Sequence, residues 1–179
     1  MWKCFSTVRV MVLAWPLVSC GTAPRSSAPV PEAQQVIGEQ MKQLYMAAST
    51  ASPRSAEQQK LILRMAQKAT NGKELLLTMR AAVGVFPAEP GDQPVARDVR
   101  STVTSKMIQL ATLDQLTDYA TQYSIDPESA RPFVNRMFQL GDGNSDPRVW
   151  YRIRVVAAHL KVSDLEQQAQ AKGNELAGK

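Results

Sequence analysis

The chain has 179 residues, of which 44% are hydrophobic and 21% charged, a composition typical of one globular domain and not of a disordered or fibrous protein. Two cysteines and one histidine are too few for a disulfide-rich scaffold or for a zinc module built from these residues. The 21 basic and 16 acidic residues leave a net charge of +5, which makes nucleic-acid binding a first hypothesis.

Residues 1–18 have the pattern of an export signal. Lys3 and Arg9 are the charged residues of this stretch, and an apolar run follows over residues 10–18. The run is shorter than the roughly 20 apolar residues that a membrane-spanning helix needs, and Pro16 would interrupt such a helix. A buried first helix of the domain is the alternative, but the Pro- and Ser-rich stretch that follows would detach it from any core.

The apolar run ends in Leu17-Val18-Ser19-Cys20, which resembles the lipobox of bacterial lipoproteins. The resemblance covers residues 1–21 and implies a signal peptide over 1–19, cleavage before Cys20, a diacylglycerol on the Cys20 thiol and a fatty acid such as palmitate on the new amino group. Gly21, where an aspartate would favour the inner membrane, implies the outer membrane. Two or three acyl chains hold a protein on a membrane surface without a spanning helix.

Cleavage before Cys20 would change the length, the net charge and the number of cysteines. It removes Lys3 and Arg9, so that 160 residues remain with 19 bases, 16 acids and a net charge of +3. It also removes Cys4 and makes Cys20 the lipid carrier, so no disulfide is expected in an oxidising compartment. Because the remaining surplus is small and the location lies outside the cytoplasm, no nucleic-acid partner is predicted.

Residues 20–31 contain three prolines and two adjacent serines, with almost nothing to bury. They predict a flexible tether that reaches on the order of 35 Å at ~3.1 Å per residue. Over 32–179 apolar residues recur at helical spacing, and strand-like alternation is missing. The predicted fold class is therefore all-α, a single domain of seven or eight short helices in an irregular bundle, preceded by the Pro- and Ser-rich tether.

Proline, glycine, aspartate and serine residues mark the ends of the predicted helices. They cover 32–49, 53 to the stop at Asn71-Gly72, 73–83, 95–111, 113–123, 127–140, 147–161 and 163 onward, the last fraying beyond Gly173. Ser52-Pro53 is the expected start of the second helix, and Thr112–Gln115 and Ser163–Glu166 both match a capping box. Residues 84–94 contain three prolines and two glycines, which predicts a loop and the best internal boundary.

No catalytic, cofactor-binding or metal-binding residue is predicted. His159 is the only histidine and has no carboxylate beside it between residues 147 and 163, so a structural or surface role is expected. Asp114 and Asp118 lie four residues apart near a predicted helix start, where acids complement the helix dipole. The run Asp142–Asp146 begins like a calcium loop but lacks the glycine and glutamate that the loop requires later.

Charges are segregated in the second half of the chain. Residues 107–130 carry four acids and no base, whereas residues 148–161 carry four bases and no acid. The acids are Asp114, Asp118, Asp126 and Glu128, and the bases are Arg148, Arg152, Arg154 and Lys161. Three explanations of this segregation stay open. The basic stretch could contact the acidic stretch in an intramolecular seam, it could be a solvated face, or it could be a docking surface for an acidic partner or anionic lipid. The candidate partner-binding residues are Arg148, Trp150, Arg152 and Arg154.

These features predict a lipid-anchored, periplasm-facing envelope protein that is not an enzyme. We expect it to act as a binding or assembly factor for an envelope machine, such as a secretin, pilus, secretion or conjugation apparatus. In architecture alone it resembles the small helical outer-membrane lipoproteins that assist such machines. A cell-wall or lipid-modifying enzyme is one alternative, and a conjugative entry-exclusion protein or other surface lipoprotein is another.

Overall fold

The structure is a computed structural model that describes residues 35–86 and 94–178. Within these two ranges it is all-α, with eight helices and no strand. The predicted signal peptide, Cys20 and the tether over 20–31 lie outside the described residues. The helices are α1 (Glu39–Thr50), α2 (Ala56–Lys68), α3 (Gly72–Val83), α4 (Pro94–Leu110), α5 (Leu113–Gln122), α6 (Pro127–Gly141), α7 (Pro147–His159) and α8 (Ser163–Ala177).

The helices pack around one core. Helix α1 lies against α2 and α3, α4 lies against α2, α3 and α6, and α7 contacts α5, α6 and α8. Buried apolar side chains from all eight helices form a single cluster, which includes residues on both sides of positions 87–93. The core therefore joins both halves of the described chain.

Aromatic residues occupy the centre of this cluster. Tyr119 and Phe133 are fully buried, and their ring centroids lie 6.0 Å apart. The Tyr119 hydroxyl shares a hydrogen bond of 2.9 Å with Thr104 Oγ1, which satisfies both polar groups inside the core. Burial raises the pKa of Tyr119 to about 12, so the phenol is neutral at ordinary pH.

The start of the domain differs from the prediction. Helix α1 begins at Glu39 instead of residue 32, because residues 35–38 are not helical and are held by other elements. The Gly38 N–H donates to Glu74 Oε1 at 2.9 Å, and the Asn71 side-chain amide donates to the Val36 carbonyl at 3.2 Å. These tertiary hydrogen bonds compete with a helical backbone over the same residues.

Helix α2 also begins later than predicted. Its N-cap is Ser55, whose hydroxyl accepts from the Gln58 N–H at 3.1 Å, so the expected start at Ser52-Pro53 is wrong. Arg54 has a φ of 58°, a left-handed conformation that a helix passing through this position could not contain.

The capping box at Thr112–Gln115 is confirmed, since both of its hydrogen bonds are present. The one expected at Ser163 is wrong, because Ser163 is already the first residue of α8 and Val162 precedes it as the N-cap. Helix α8 also continues to Ala177 past Gly173. Its packing explains this, since Gly173 is buried against α7, where a Cβ atom would lie 3.0 Å from Cε1 of Tyr151.

The end of α7 is a Schellman motif with a lysine where glycine is usual. The Lys161 N–H donates to the Ala158 carbonyl at 3.1 Å, and the Val162 N–H donates to the Ala157 carbonyl at 2.9 Å. Lys161 therefore adopts a φ of 59°, in the left-handed region that disfavours side chains.

Lys161→Gly is expected to stabilise the protein by about 1 kcal/mol, because glycine adopts this conformation without a steric penalty. The melting temperature should rise by about 3 °C, measured by circular dichroism. Ala158→Gly, at an exposed helical position of α7, is the control and should lower stability by a similar amount. A loss of stability for both variants would contradict the account of Lys161.

Candidate functional site

The basic residues of α7 are partly engaged within the fold. Arg152 donates to a carboxylate oxygen of Asp114 and forms an ion pair that joins α7 to α5. Arg154 donates to Gln170 Oε1 on α8 at 3.3 Å. Arg148 is exposed and has no side-chain hydrogen bond or ion pair within the described ranges. Of the three predicted arginines, Arg148 is therefore the one available to an outside partner. The ion pair of Arg152 with Asp114 is an intramolecular contact between the basic helix and the acidic stretch, and we call it the seam.

Trp150 does not belong to an exposed binding surface. Its side chain is 3% exposed and packs edge-on against Phe138, with ring centroids 5.4 Å apart. The indole N–H donates to the Asn144 carbonyl at 3.3 Å, which ties the turn before α7 to the helix. This burial corrects the prediction that Trp150 contacts a partner, since the ring forms part of the core.

Arg152 and Asp114 provide a direct test of the seam. Both side chains are about half exposed, so we expect a coupling of about 0.5 kcal/mol between them in a double-mutant cycle with alanine. Urea unfolding at low and high salt measures this coupling, which should fall as salt screens the pair. A matched cycle for Arg148 and Asp118, on the same two helices, should give no coupling. A coupling above 2 kcal/mol would show that the seam is a major stabilising element.

The only histidine lines an open cleft of about 620 Å³ between the start of α6 and the turn from α7 to α8. His159 is exposed there, and Arg131, Lys161 and Asp164 also line the cleft. The Asp164 carboxylate accepts from Arg131 Nη2 at 2.7 Å, and this bond holds the pKa of Asp164 below its usual value. Asp164 is therefore paired with an arginine. No three His, Cys, Asp or Glu side chains in the described part of the chain could together hold a metal ion.

A second surface feature, which the sequence analysis missed, is an apolar groove between α3 and α5. Its first part has a volume of about 340 Å³ and is lined by Ile37, Leu76, Leu77 and Tyr123. A second cavity of about 230 Å³ at the C-terminal end of α3 shares the lining residues Gln122 and Tyr123 with the first. It is lined largely by apolar side chains, namely Met79, Ala82, Val83, Phe86, Ala96 and Val99. We call the two parts together the α3–α5 groove.

Charged side chains border the α3–α5 groove unequally. Lys73 and Arg80 on α3 and Arg100 on α4 contribute positive charge, and Asp118 on α5 is the acid among the lining residues. Burial raises the pKa of Tyr123, and the charge of Arg80 partly opposes that shift. Val83 is 61% exposed, so apolar surface at this end of the groove faces solvent.

A buried polar cluster lies where the N-terminal segment meets α3 and α5, beside the Lys73 end of the groove. Gln115 is 1% exposed, donates to Gln35 Oε1 at 2.8 Å and accepts from the Thr112 N–H at 3.0 Å. Glu74 is 4% exposed and accepts from the Thr70 N–H and hydroxyl at 2.8 and 2.9 Å. We call these residues, with Gly38 and Gly72, the polar cluster. It attaches the first described residues to the body of the domain.

The sequence contained one signal for this cluster. Asn71 precedes Glu74 by three positions, which is the spacing of an N-cap and its third helical residue. Asn71 was expected to end the second helix, but it caps α3 by accepting from the Glu74 N–H at 3.1 Å. The Glu74 carboxylate binds the Thr70 and Gly38 N–H groups, and only the tertiary fold brings Gly38 there.

Comparison with protein-family models, curated protein sequences and solved structures gives no match for this chain. Among the described helices, none is long and apolar enough to cross a membrane.

Proposed function

We propose that this chain is a lipid-anchored protein of the bacterial envelope that faces the periplasm from the outer membrane and binds a protein component of an envelope machine. The secretin, pilus, secretion and conjugation systems are the classes of machine we have in mind. The observation that carries the binding function is the α3–α5 groove, because an apolar groove bordered by charges suits a partner's amphipathic segment. The sequence Leu17–Cys20 supports the anchor.

Several features support binding in preference to catalysis. The groove is lined mainly by aliphatic and aromatic side chains, which give contact area for a partner protein. Arg148 on α7 offers a further basic contact outside the groove. A protein that escorts or docks another protein needs such surfaces and no reactive centre.

Cys20→Ala tests the anchor. The variant should lose palmitate labelling and move from the membrane fraction to the soluble fraction, because the lipid supplies nearly all of the membrane affinity. Cys4→Ala, at the other cysteine, is the matched control and should remain labelled and membrane-bound. Continued membrane retention of the Cys20→Ala protein would contradict a lipid anchor at this position.

Photocrosslinking in intact cells tests the binding function. A photoreactive residue at Leu77 or Val83 should give a discrete product with an envelope protein, because both positions line the groove. The same residue at Gln168, exposed on α8, is the control and should give none. Identical products from all three positions, or products with cytoplasmic proteins alone, would argue against the proposed function.

A further inference from the structure

The wall of the α3–α5 groove that α3 provides has a regular pattern. Lys73, Leu76, Leu77 and Arg80 all line the groove and follow the spacing i, i+3, i+4 and i+7, which places them along one face of α3. The two cations are separated by two turns, a rise of about 10.5 Å at ~1.5 Å per residue. Neither cation has a side-chain hydrogen bond or ion pair within residues 35–86 and 94–178. This wall therefore has an apolar middle with a positive charge at each end.

The opposite wall has a different character. Helix α5 contributes Asp118 and Gln122, and Tyr123, the residue that follows the helix, contributes a half-buried ring. Negative charge beside Asp118 would be repelled, whereas negative charge beside Lys73 and Arg80 would be attracted. A bound segment would thus need its acidic residues on the edge that faces α3 and none on the edge that faces α5.

The apolar middle of the α3 wall limits the backbone conformation of an occupant. Leu76 and Leu77 lie inside α3, whose backbone groups bond within the helix, so this face offers hydrocarbon surface and no backbone partner. An extended segment would leave backbone N–H and C=O groups unpaired against this surface, whereas a helix satisfies them internally. Carboxylates seven residues apart on one helix are also separated by about 10.5 Å and match the two cations.

From these observations we infer that the α3–α5 groove binds an amphipathic helix of a partner protein, with two carboxylates seven residues apart along one edge and leucine-like residues on the face between them. The carboxylates pair with Lys73 and Arg80, and the apolar face covers Leu76, Leu77 and Tyr123. This inference rests on the proposed binding function and names the chemistry of the partner at the same groove.

A synthetic helical peptide of this pattern is the probe. It carries two glutamates seven residues apart, leucines on the face between them and glutamines on the other edge, and a second peptide has lysines in place of the glutamates. Fluorescence anisotropy with the full chain, as cells produce it, should show at least tenfold tighter binding of the glutamate peptide. Equal affinity for both peptides would overturn the inference.

Lys73→Glu combined with Arg80→Glu should reverse the preference. The glutamate peptide should lose at least tenfold in affinity and the lysine peptide should gain, a change that a misfolded variant could not produce. Lys60→Glu combined with Arg64→Glu makes the same change of charge on the exposed side of α2 and should leave both affinities unchanged. Unchanged affinities after the Lys73 and Arg80 reversal would overturn the inference.

Two further outcomes identify other occupants and would also overturn it. A dimer of the full chain that Arg80→Glu dissociates would assign the groove to a second copy. Peptide binding only after removal of residues 1–34 would assign it to the N-terminal segment of the same chain. The peptide experiment does not depend on the lipid. A negative result with the peptides therefore leaves the proposed anchor untouched, and a negative result with Cys20→Ala leaves the proposed partner helix untouched.

Discussion

Glu74→Gln is expected to lower the free energy of unfolding by about 3 kcal/mol or more. Both carboxylate oxygens of Glu74 are acceptors in the structure, one for the Gly38 N–H and the other for the Thr70 N–H and hydroxyl. Glutamine has the same shape but a single acceptor oxygen, so its NH₂ group would face donors that it cannot bind. The charge-assisted hydrogen bonds would also become neutral ones, which are about half as strong.

Urea unfolding followed by circular dichroism measures this loss. Glu57→Gln is the matched control, because Glu57 lies in the first turn of α2 as Glu74 lies in the first turn of α3, but is exposed. It should change the stability by less than about 0.5 kcal/mol. Amide hydrogen exchange at Gly38 and Thr70 should accelerate in the Glu74→Gln variant alone. Equal stabilities for the two variants would show that the Glu74 carboxylate is not needed for folding.

Gly72→Ala is expected to cost about 3 kcal/mol, although alanine is the best helix former and Gly72 begins a helix. An added methyl group would lie 2.6 Å from Cδ of Gln115 and closer still to its Oε1. Gln115 is fully buried and bonded to both Gln35 and Thr112, so it cannot move aside without losing those partners. The steric clash therefore outweighs the gain in helix propensity.

Two variants separate this clash from a general effect of alanine. Gly84→Ala, at the other end of α3, has no atom within 4 Å of the new methyl group and should be neutral or slightly stabilising. Gly72→Ala combined with Gln115→Ala should be less destabilising than the sum of the single changes, because the second change removes the atoms that the methyl group meets. Additive losses in thermal or urea unfolding would contradict the contact between Gly72 and Gln115.

Both predictions concern the point where the N-terminal segment enters the domain. Gln35 and Gly38 are held by Gln115 and Glu74, so the segment before α1 is attached to α3 and α5. If Cys20 is lipidated as we propose, any force along residues 20–34 acts on this polar cluster first. The same cluster lies beside the Lys73 end of the α3–α5 groove, since the Lys73 N–H donates to Gln35 Oε1 at 3.3 Å.

Local sequence was sufficient to predict much of the fold. The apolar periodicity and the helix ends of α4 to α7 were correct within two residues. The Thr112 and Asp146 side chains cap N–H groups close to them in sequence, and Pro127 and Pro147 suit the first position of a helix. The starts of α1 and α2 were wrong, because non-local bonds to Glu74 and the left-handed Arg54 determine them. The bond to Glu74 leaves no mark in a window of neighbouring residues, whereas Arg54 lies in a local turn that the Ser55 N–H closes on the Ser52 carbonyl at 3.1 Å.

The candidate sites also include some features that the sequence indicated and others that it did not. Segregated charge indicated that α7 and the acidic stretch could meet, and the ion pair between Arg152 and Asp114 is such a contact. The sequence could not show that Trp150 faces the core, because its helical position is compatible with either surface until α6 and α8 are placed. The α3–α5 groove gave no signal at all, since its walls come from segments about 40 residues apart in the chain.

The sequence by itself determined the helical class and most helix boundaries in the second half, and it carries the resemblance to a lipobox on which the proposed location depends. These properties follow from periodicity and from short motifs, which act over a few residues. Tertiary structure alone decided that Glu74, Gln115 and Gln35 are buried together and that Lys73 and Arg80, beside an apolar groove, form no ion pair with another described residue. Burial and pairing depend on which helices pack together, and that arrangement results from the cooperative packing of the whole core.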